Sequence, residues 1–234
     1  RGEEVSCRNE KGDNVHFLVL GQKEFIRGSG DGAEKWLQTR SEHTIGEVLS
    51  RTSVGAVTFA AHAQEPVPLL QRILLGRGIW SFSDLRNEGL AGLQILNGKL
   101  DIGFRKSYRA WIRLLLAGIK TCAIAGNDAH GNFNRYRQIE IPFLNIRESD
   151  HQLFGKWRTG LYVEGPLSEE SILRVLGQRG AIMTDGPVVR MSARNTGGQI
   201  SGIGETVLAK TIDLSIEILS SKEFGEINEM RVIV

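Results

Sequence analysis

The chain has 234 residues, with 29 Lys and Arg against 27 Asp and Glu, a formal net charge of +2. That balance excludes a field strong enough to make nucleic acid or an anionic membrane the main partner. Hydrophobic residues at 41% and charged residues at 24% exclude a disordered chain, and no apolar run reaches the roughly 18 residues of a membrane span.

Asn14–Leu20 is a β-rich run closed by Gly21 and reads as a strand. Phe25–Arg40, with Gly28-Ser-Gly-Asp-Gly32 at its centre, reads mostly as loop. Thr44 and Glu47 carry the signature of a capped short helix over 44–51. Gly55–Ala61 is a short apolar run, the mark of a strand covered on both sides. Val67–Leu75 and Ser83–Glu88 are expected to be short helices, with a further buried strand at Leu93–Leu96. Arg105–Ala117 is the clearest helix, because Tyr108, Trp111, Ile112, Leu115 and Leu116 share one face and Gly118 stops it. Thr121–Ala125 is a third buried strand. A helix opens at Ser168 with first-turn acids, and Ala181–Thr184 follows as a strand. From Val207 the pattern turns to period two at Ile212, Leu214, Ile216 and Ile218, which predicts antiparallel strands. The order predicts an α/β body with a β appendage.

The chain opens at Arg1, has methionine only at 183, 191 and 230, and stops inside the apolar run Met230–Val234. It reads as part of a longer protein, and no targeting segment assigns a compartment. Cys7 and Cys122 form neither a CxxC pair nor a disulfide framework; they read as a loop thiol and a core residue. Trp80 and Trp111 read as core.

Five histidines occur. His43 and His151 fall in polar stretches and take no role. His16 lies inside the first strand, His62 directly follows Gly55–Ala61, and His130 lies just past Thr121–Ala125. Ligands of parallel α/β sheets bind at the carboxyl ends of strands. Asp128 and His130 are two apart, so an extended backbone turns both to one side. Glu4 and His16 are placed to meet across a turn. Taken singly, each has a plain reading: a hydrogen-bonded histidine, a turn aspartate, a surface acid. Taken together they offer nitrogen and oxygen donors and no thiolate, which suits Zn²⁺, Mn²⁺ or Fe²⁺, with more than one ion.

These residues resemble the PHP family, the polymerase and histidinol phosphatase superfamily of metal-dependent phosphoesterases. The resemblance rests on Gly2-Glu-Glu4-Val-Ser6, His16-Phe-Leu-Val-Leu-Gly21, Ala60-Ala-His62, Gln94-Ile-Leu-Asn97-Gly98 and Gly126-Asn-Asp128-Ala-His130-Gly131. Leu176–Gly180 through Thr184–Pro187 looks like the branch that includes carbamate and ester hydrolases. It departs from the family at Asn127, where Ser is usual, at Ala63, where Pro is common, and in having no His-x-His segment before Glu4.

The resemblance implies a distorted (β/α)7 barrel over residues 1–184, lacking its first strands, and a β-rich appendage over 185–234. It implies two or three divalent ions, held by Glu4, His16, His62, Asp128 and His130 together with upstream ligands. It implies hydrolysis by a metal-bound hydroxide, of a small-molecule phosphoester first and of an ester or carbamate second. Asp128 and His130 would serve that chemistry directly, and Arg135, with Arg137, would clamp a phosphate. Two other readings remain open: a non-catalytic PHP-like scaffold, and a PHP-type nuclease, which the +2 charge does not favour.

Overall fold

The computed structural model describes residues 1–31, 40–129 and 154–233, and the backbone of 138–141 and 144–147. His130, Arg135, Arg137 and His151 lie outside the residues whose side chains are described.

Gly2–Arg8 (β1) and Asn14–Leu20 (β2) form an antiparallel hairpin with Ser6 opposite His16. Asn9 makes the turn: its side-chain oxygen accepts from the Lys11 and Asp13 amides at 3.0 and 2.9 Å. Val5, Cys7, Val15, Phe17 and Val19 are buried on one face of the hairpin. Glu4, Ser6, His16, Leu18 and Leu20 therefore share the opposite face.

His43–Thr44 (β3) pairs with β1, and Thr44 caps the helix Ile45–Arg51 (α1) through a complete capping box with Glu47. Val57–Ala60 (β4) runs antiparallel to β2, and Gly92–Asn97 (β5) and Cys122–Gly126 (β6) continue parallel to β4. The six strands take the order β3-β1-β2-β4-β5-β6. β4 and β5 are almost wholly buried, the burial expected of strands covered on both faces. Gly92 is required where β5 meets β6, because a Cβ there would come within 2.1 Å of the Cys122 carbonyl oxygen.

The crossover from β4 to β5 carries Leu69–Leu75 (α2) and a 3-10 turn at Asp84–Arg86. The next crossover is Ile102–Leu116 (α3). This helix begins earlier than the apolar stripe predicts, because Asp101 accepts from the Gly103 and Phe104 amides and caps it. One core layer joins Phe17, Val19, Leu93 and Ile95 to Val48 of α1, Leu114 of α3 and Trp80. The other joins Val57, Phe59, Cys122 and Ile124 to Leu176 on the helix Glu169–Gly177 (α4). Trp80 is core as expected, at 1% exposure; Trp111 is partly buried, with Nε1 donating to the Thr121 carbonyl.

Gln138–Ile141 (β7) pairs with Leu144–Arg147 (β8), and Arg158–Leu161 (β9) with Ala181–Thr184 (β10). Thr159 ties β9 to β6 by hydrogen bonds with the Ala125 backbone at 2.9 and 3.0 Å. Val188–Asn195 (β11), Ile200–Ser201 (β12) and Ile212–Leu219 (β13) form a separate antiparallel sheet in the order β12-β11-β13. The molecule is thus a mixed α/β structure with a separate antiparallel sheet. Among the described residues, the hydrogen-bonded order of the main sheet ends at β3 and β6, and no helix is long and apolar enough to cross a membrane.

Two sequence expectations change. Cys7 is not a loop thiol but a fully buried β1 residue, and burial, with the charges of Asp84 and Asp31, pushes its thiol far above the usual range. His43 is not in a polar loop either; it is buried in β3, with Nε2 2.7 Å from the Arg27 carbonyl oxygen. Cys122 is core as expected, and burial pushes its thiol up to about 12.

Phe17 is fully buried and packs on Trp80 with ring centroids 5.5 Å apart. Phe17→Ala is expected to cost about 3–5 kcal/mol in urea unfolding. Leu116→Ala, at a side chain that is 83% exposed, is expected to stay within about 0.5 kcal/mol. Equal costs at the two sites would show the core to be placed wrongly.

Candidate metal centre

Three neighbouring strands deliver the centre. β4 is antiparallel to β2 with Phe17 opposite Ala60, so the chain just past the end of β4 lies beside His16. The Ala61 amide donates to the His16 carbonyl oxygen at 3.0 Å, and His62 follows at once. Glu4 lies on β1 two residues before Ser6, the partner of His16, and so sits diagonally across the same face.

The donor atoms converge. Glu4 Oε1 is 2.7 Å from His16 Nδ1 and 3.3 Å from His62 Nε2, and the two ring nitrogens are 3.1 Å apart. The rings meet edge to face, with centroids 4.9 Å apart. One ligand atom from each of Glu4, His16 and His62 falls within 4.8 Å of the others. His16 is the most enclosed, and Glu4, with a third of its side chain exposed, opens the site to solvent.

The backbone is strained at two of the expected site residues. His62 has φ of 30° and Asp128 has φ of 50°, a left-handed region that non-glycine residues seldom occupy. Gln94 of β5 supports the first of these turns. Its Oε1 accepts from the His62 amide at 3.1 Å, while its Nε2 donates to Asn97 Oδ1 at 3.1 Å.

Burial opposes charge on Glu4, but the hydrogen bonds from His16 and His62 outweigh it and hold the carboxyl well below the usual carboxylate range. Burial likewise disfavours a charged His16, yet hydrogen bonds to Asp31 and Glu4 win and raise it to about 9. The pocket therefore favours a positive charge at the point where the three donors meet. Two imidazoles and one carboxylate also form a donor set of catalytic zinc sites, in which three protein ligands leave a fourth position for water. The residues present fit a divalent ion of borderline or hard character.

Asp31 was not predicted. It lies in the described part of the glycine-rich stretch, fully buried, with Oδ1 2.9 Å from His16 Nε2 and 2.9 Å from Ser6 Oγ, and with Oδ2 paired to Arg77 Nε. Gly30 lets it in, since a Cβ there would come within 2.2 Å of Ser6 Cβ. The only sequence signal was an acid set between glycines.

Asp128 is not one of the group of three. It follows β6, two strands along the sheet from β4, or about 10 Å by strand spacing. Its charge reaches Glu65, whose carboxyl is raised by burial first and then by Asp101 and Asp128. Glu4, His16 and His62 form the group of three, and His62 and Asp128 both act on the Glu65 carboxyl, the first lowering and the second raising it. Comparison with protein-family models, with curated proteins and with solved structures gave no match.

A pH dependence follows for the metal-free protein. The His16 shift contributes stability that is fully present below its ordinary value of 6.5 and is lost as pH rises through about 9. The depressed Glu4 and Asp31 contribute stability that is present above their ordinary values of 4.5 and 3.8 and is lost as pH falls below them. The thermal midpoint in chelator is expected to be highest between about pH 5 and 6.5. His16→Gln should flatten the alkaline fall, and an unchanged fall in that variant would refute the assignment.

Proposed function

We propose that the chain is a metal-dependent hydrolase of the PHP type, acting on a small-molecule phosphoester. The observation that carries this reading is the convergence of Glu4, His16 and His62 within 4.8 Å at one edge of the sheet. β4 and β6 run parallel through β5, so His62 and Asp128, each just past a strand end, stand at the same edge. That is the edge at which parallel α/β sheets bind ligands. The pairing of β9 and β10 beside β6 supports reading residues 1–184 as the barrel body, and the sheet β12-β11-β13 supports reading 185–234 as its appendage.

Glu4, His16 and His62 would hold one ion. Asp128, with its strained backbone at the same edge, would serve a second position together with His130. The ions, Zn²⁺, Mn²⁺ or Fe²⁺, would supply Lewis acidity and bring the pKa of water from about 15.7 to about 7. Glu4 supplies the negative charge and orients the two imidazoles. Gln94 holds the His62 turn so that Nε2 faces Glu4. Arg135 and Arg137 keep the proposed part of a phosphate clamp. Ester or carbamate hydrolysis is the second reading, favoured by the resemblance of Leu176–Pro187.

Purified protein loaded with Mn²⁺ or Zn²⁺ is expected to retain the ion through desalting and to hydrolyse p-nitrophenyl phosphate or its diester. His62→Ala and Glu4→Gln should lower turnover by about 10²-fold or more. Asp128→Ala should also lower it, with less effect on retention of the first ion. Hydrolysis of p-nitrophenyl acetate alone would select the ester reading. Failure to retain any ion would refute the proposal.

A further inference from the structure

We infer that Asp31 is the positioning carboxylate of this centre: it fixes His16 in the tautomer that turns Nδ1 toward the ion, while Ser6 and Arg77 hold Asp31 in place. The inference rests on the metal-centre reading and adds a residue and a role to it.

A histidine offers one lone pair to a metal only when its other nitrogen keeps a hydrogen. Which nitrogen keeps it is decided by the partner of that other nitrogen. At His16 the choice is asymmetric. Nδ1 faces Glu4 Oε1 and His62 Nε2, the two other donors, at 2.7 and 3.1 Å. Among the described residues, the partner of Nε2 is Asp31 Oδ1, at 2.9 Å. Both nitrogens face a carboxylate, but Glu4 is itself a donor of the centre and Asp31 is not, so with an ion held by Glu4 and His62 the hydrogen stays on Nε2 and the Nδ1 lone pair serves the ion.

Asp31 is itself immobilised. Its side chain has no exposure to solvent. Oδ1 also accepts from Ser6 Oγ, and Oδ2 is taken by Arg77 Nε. A carboxylate satisfied at both oxygens is not available to swing across and ligate the ion, which separates its role from that of Glu4. Arg77 is fixed in turn. Its backbone bridges to Asn14, two residues before His16, and the Gly78 amide donates to the Asn14 carbonyl oxygen at 2.9 Å. The histidine backbone is held as well, because its carbonyl oxygen accepts from Trp80 Nε1 and the Ala61 amide at 3.2 and 3.0 Å. The ring therefore has a fixed root, a fixed outer partner at Nε2, and Nδ1 turned to the other two donors.

The plain alternative is that Asp31 and Arg77 form an internal ion pair that only stabilises the loop. The two readings differ in what happens to metal affinity and to the tautomer. Outer partners of metal-bound histidines are worth about 10–100-fold in affinity.

The test uses the full chain labelled with ¹⁵N at histidine and loaded with Zn²⁺. Long-range ¹H–¹⁵N spectra of the wild type are expected to show His16 with hydrogen on Nε2 and zinc on Nδ1. Zinc dissociation constants come from competition with a chromogenic chelator. Asp31→Asn is expected to weaken binding by about 10–100-fold at unchanged stoichiometry and unchanged circular dichroism. Arg77→Gln should weaken it less, and Arg77→Lys should restore most of that loss. A folded Asp31→Asn protein with the wild-type dissociation constant overturns the inference and leaves the metal centre standing. A wild-type spectrum with zinc on Nε2 also overturns it, and this measurement decides the matter if the Asp31 variant does not fold. A wild-type protein that binds no zinc overturns both the inference and the metal-centre reading.

Discussion

The candidate centre depends on a single register, that of Ser6 opposite His16 in the β1–β2 hairpin. Side chains alternate along a strand, so a slip of one residue would turn Glu4 or His16 into the layer occupied by Val5, Phe17 and Val19. The apolar set on that layer prevents the slip. It is buried against Trp80 and Val48, and a shift would expose one hydrophobic row while burying a carboxylate or an imidazole without partners. The packing that gives the fold its stability is therefore also what aims the ligands.

The second strand contact, β2 to β4, extends the same logic. Because β4 is antiparallel to β2, its carboxyl end arrives beside the start of β2, and His62 falls next to His16 without a long excursion. The parallel continuation through β5 and β6 brings Asp128 to the same edge, but two strands further along. Strand spacing sets the distance between the two positions. One group of donors lies at β1, β2 and β4, and Asp128 follows β6, two strands along from β4.

Much of this was legible in the residues. His16 and His62 are legible from donor chemistry and from their places in or beside apolar runs of strand length, and Glu4 from its spacing to His16 across a turn and from the family resemblance. α3 was legible because Tyr108, Trp111, Ile112 and Leu115 repeat with the helical period, although its start was not, since Asp101 sets it by capping rather than by hydrophobicity. β1 escaped because Glu3, Glu4, Ser6 and Arg8 make it read as polar, and only pairing with β2 reveals its buried side. β11 escaped for a related reason: Arg190 and Arg194 interrupt its apolar residues, and the first of these pairs with Glu217 across the strands. Asp31 was the least legible. It lies 15 residues from His16 in a stretch without periodicity, and nothing local announces a partner that only the folded loop provides.

The charges of the cluster suggest why the parts belong together. Glu4 and Asp31 carry two negative charges, and Arg77 supplies one permanent positive charge. The set is thus one positive charge short, in a place where burial makes imbalance costly. His16 fills the deficit with a proton when nothing else is present, and this is why its affinity for that proton is raised despite its burial. Arg77 is committed to Asp31, and its guanidinium offers no lone pair, so it cannot take the ligand's place. A divalent ion at Glu4, His16 and His62 would displace the Nδ1 proton and leave the Nε2 hydrogen bond to Asp31 intact. The ion-bound state then differs from the protonated one at Nδ1 and at the Glu4 and His62 atoms that face it. The surrounding hydrogen bonds, of Asp31 with Ser6 and of the His16 carbonyl with Trp80 and the His62 amide with Gln94, involve atoms other than the three donors, and groups already ordered before an ion arrives lower the cost of binding it.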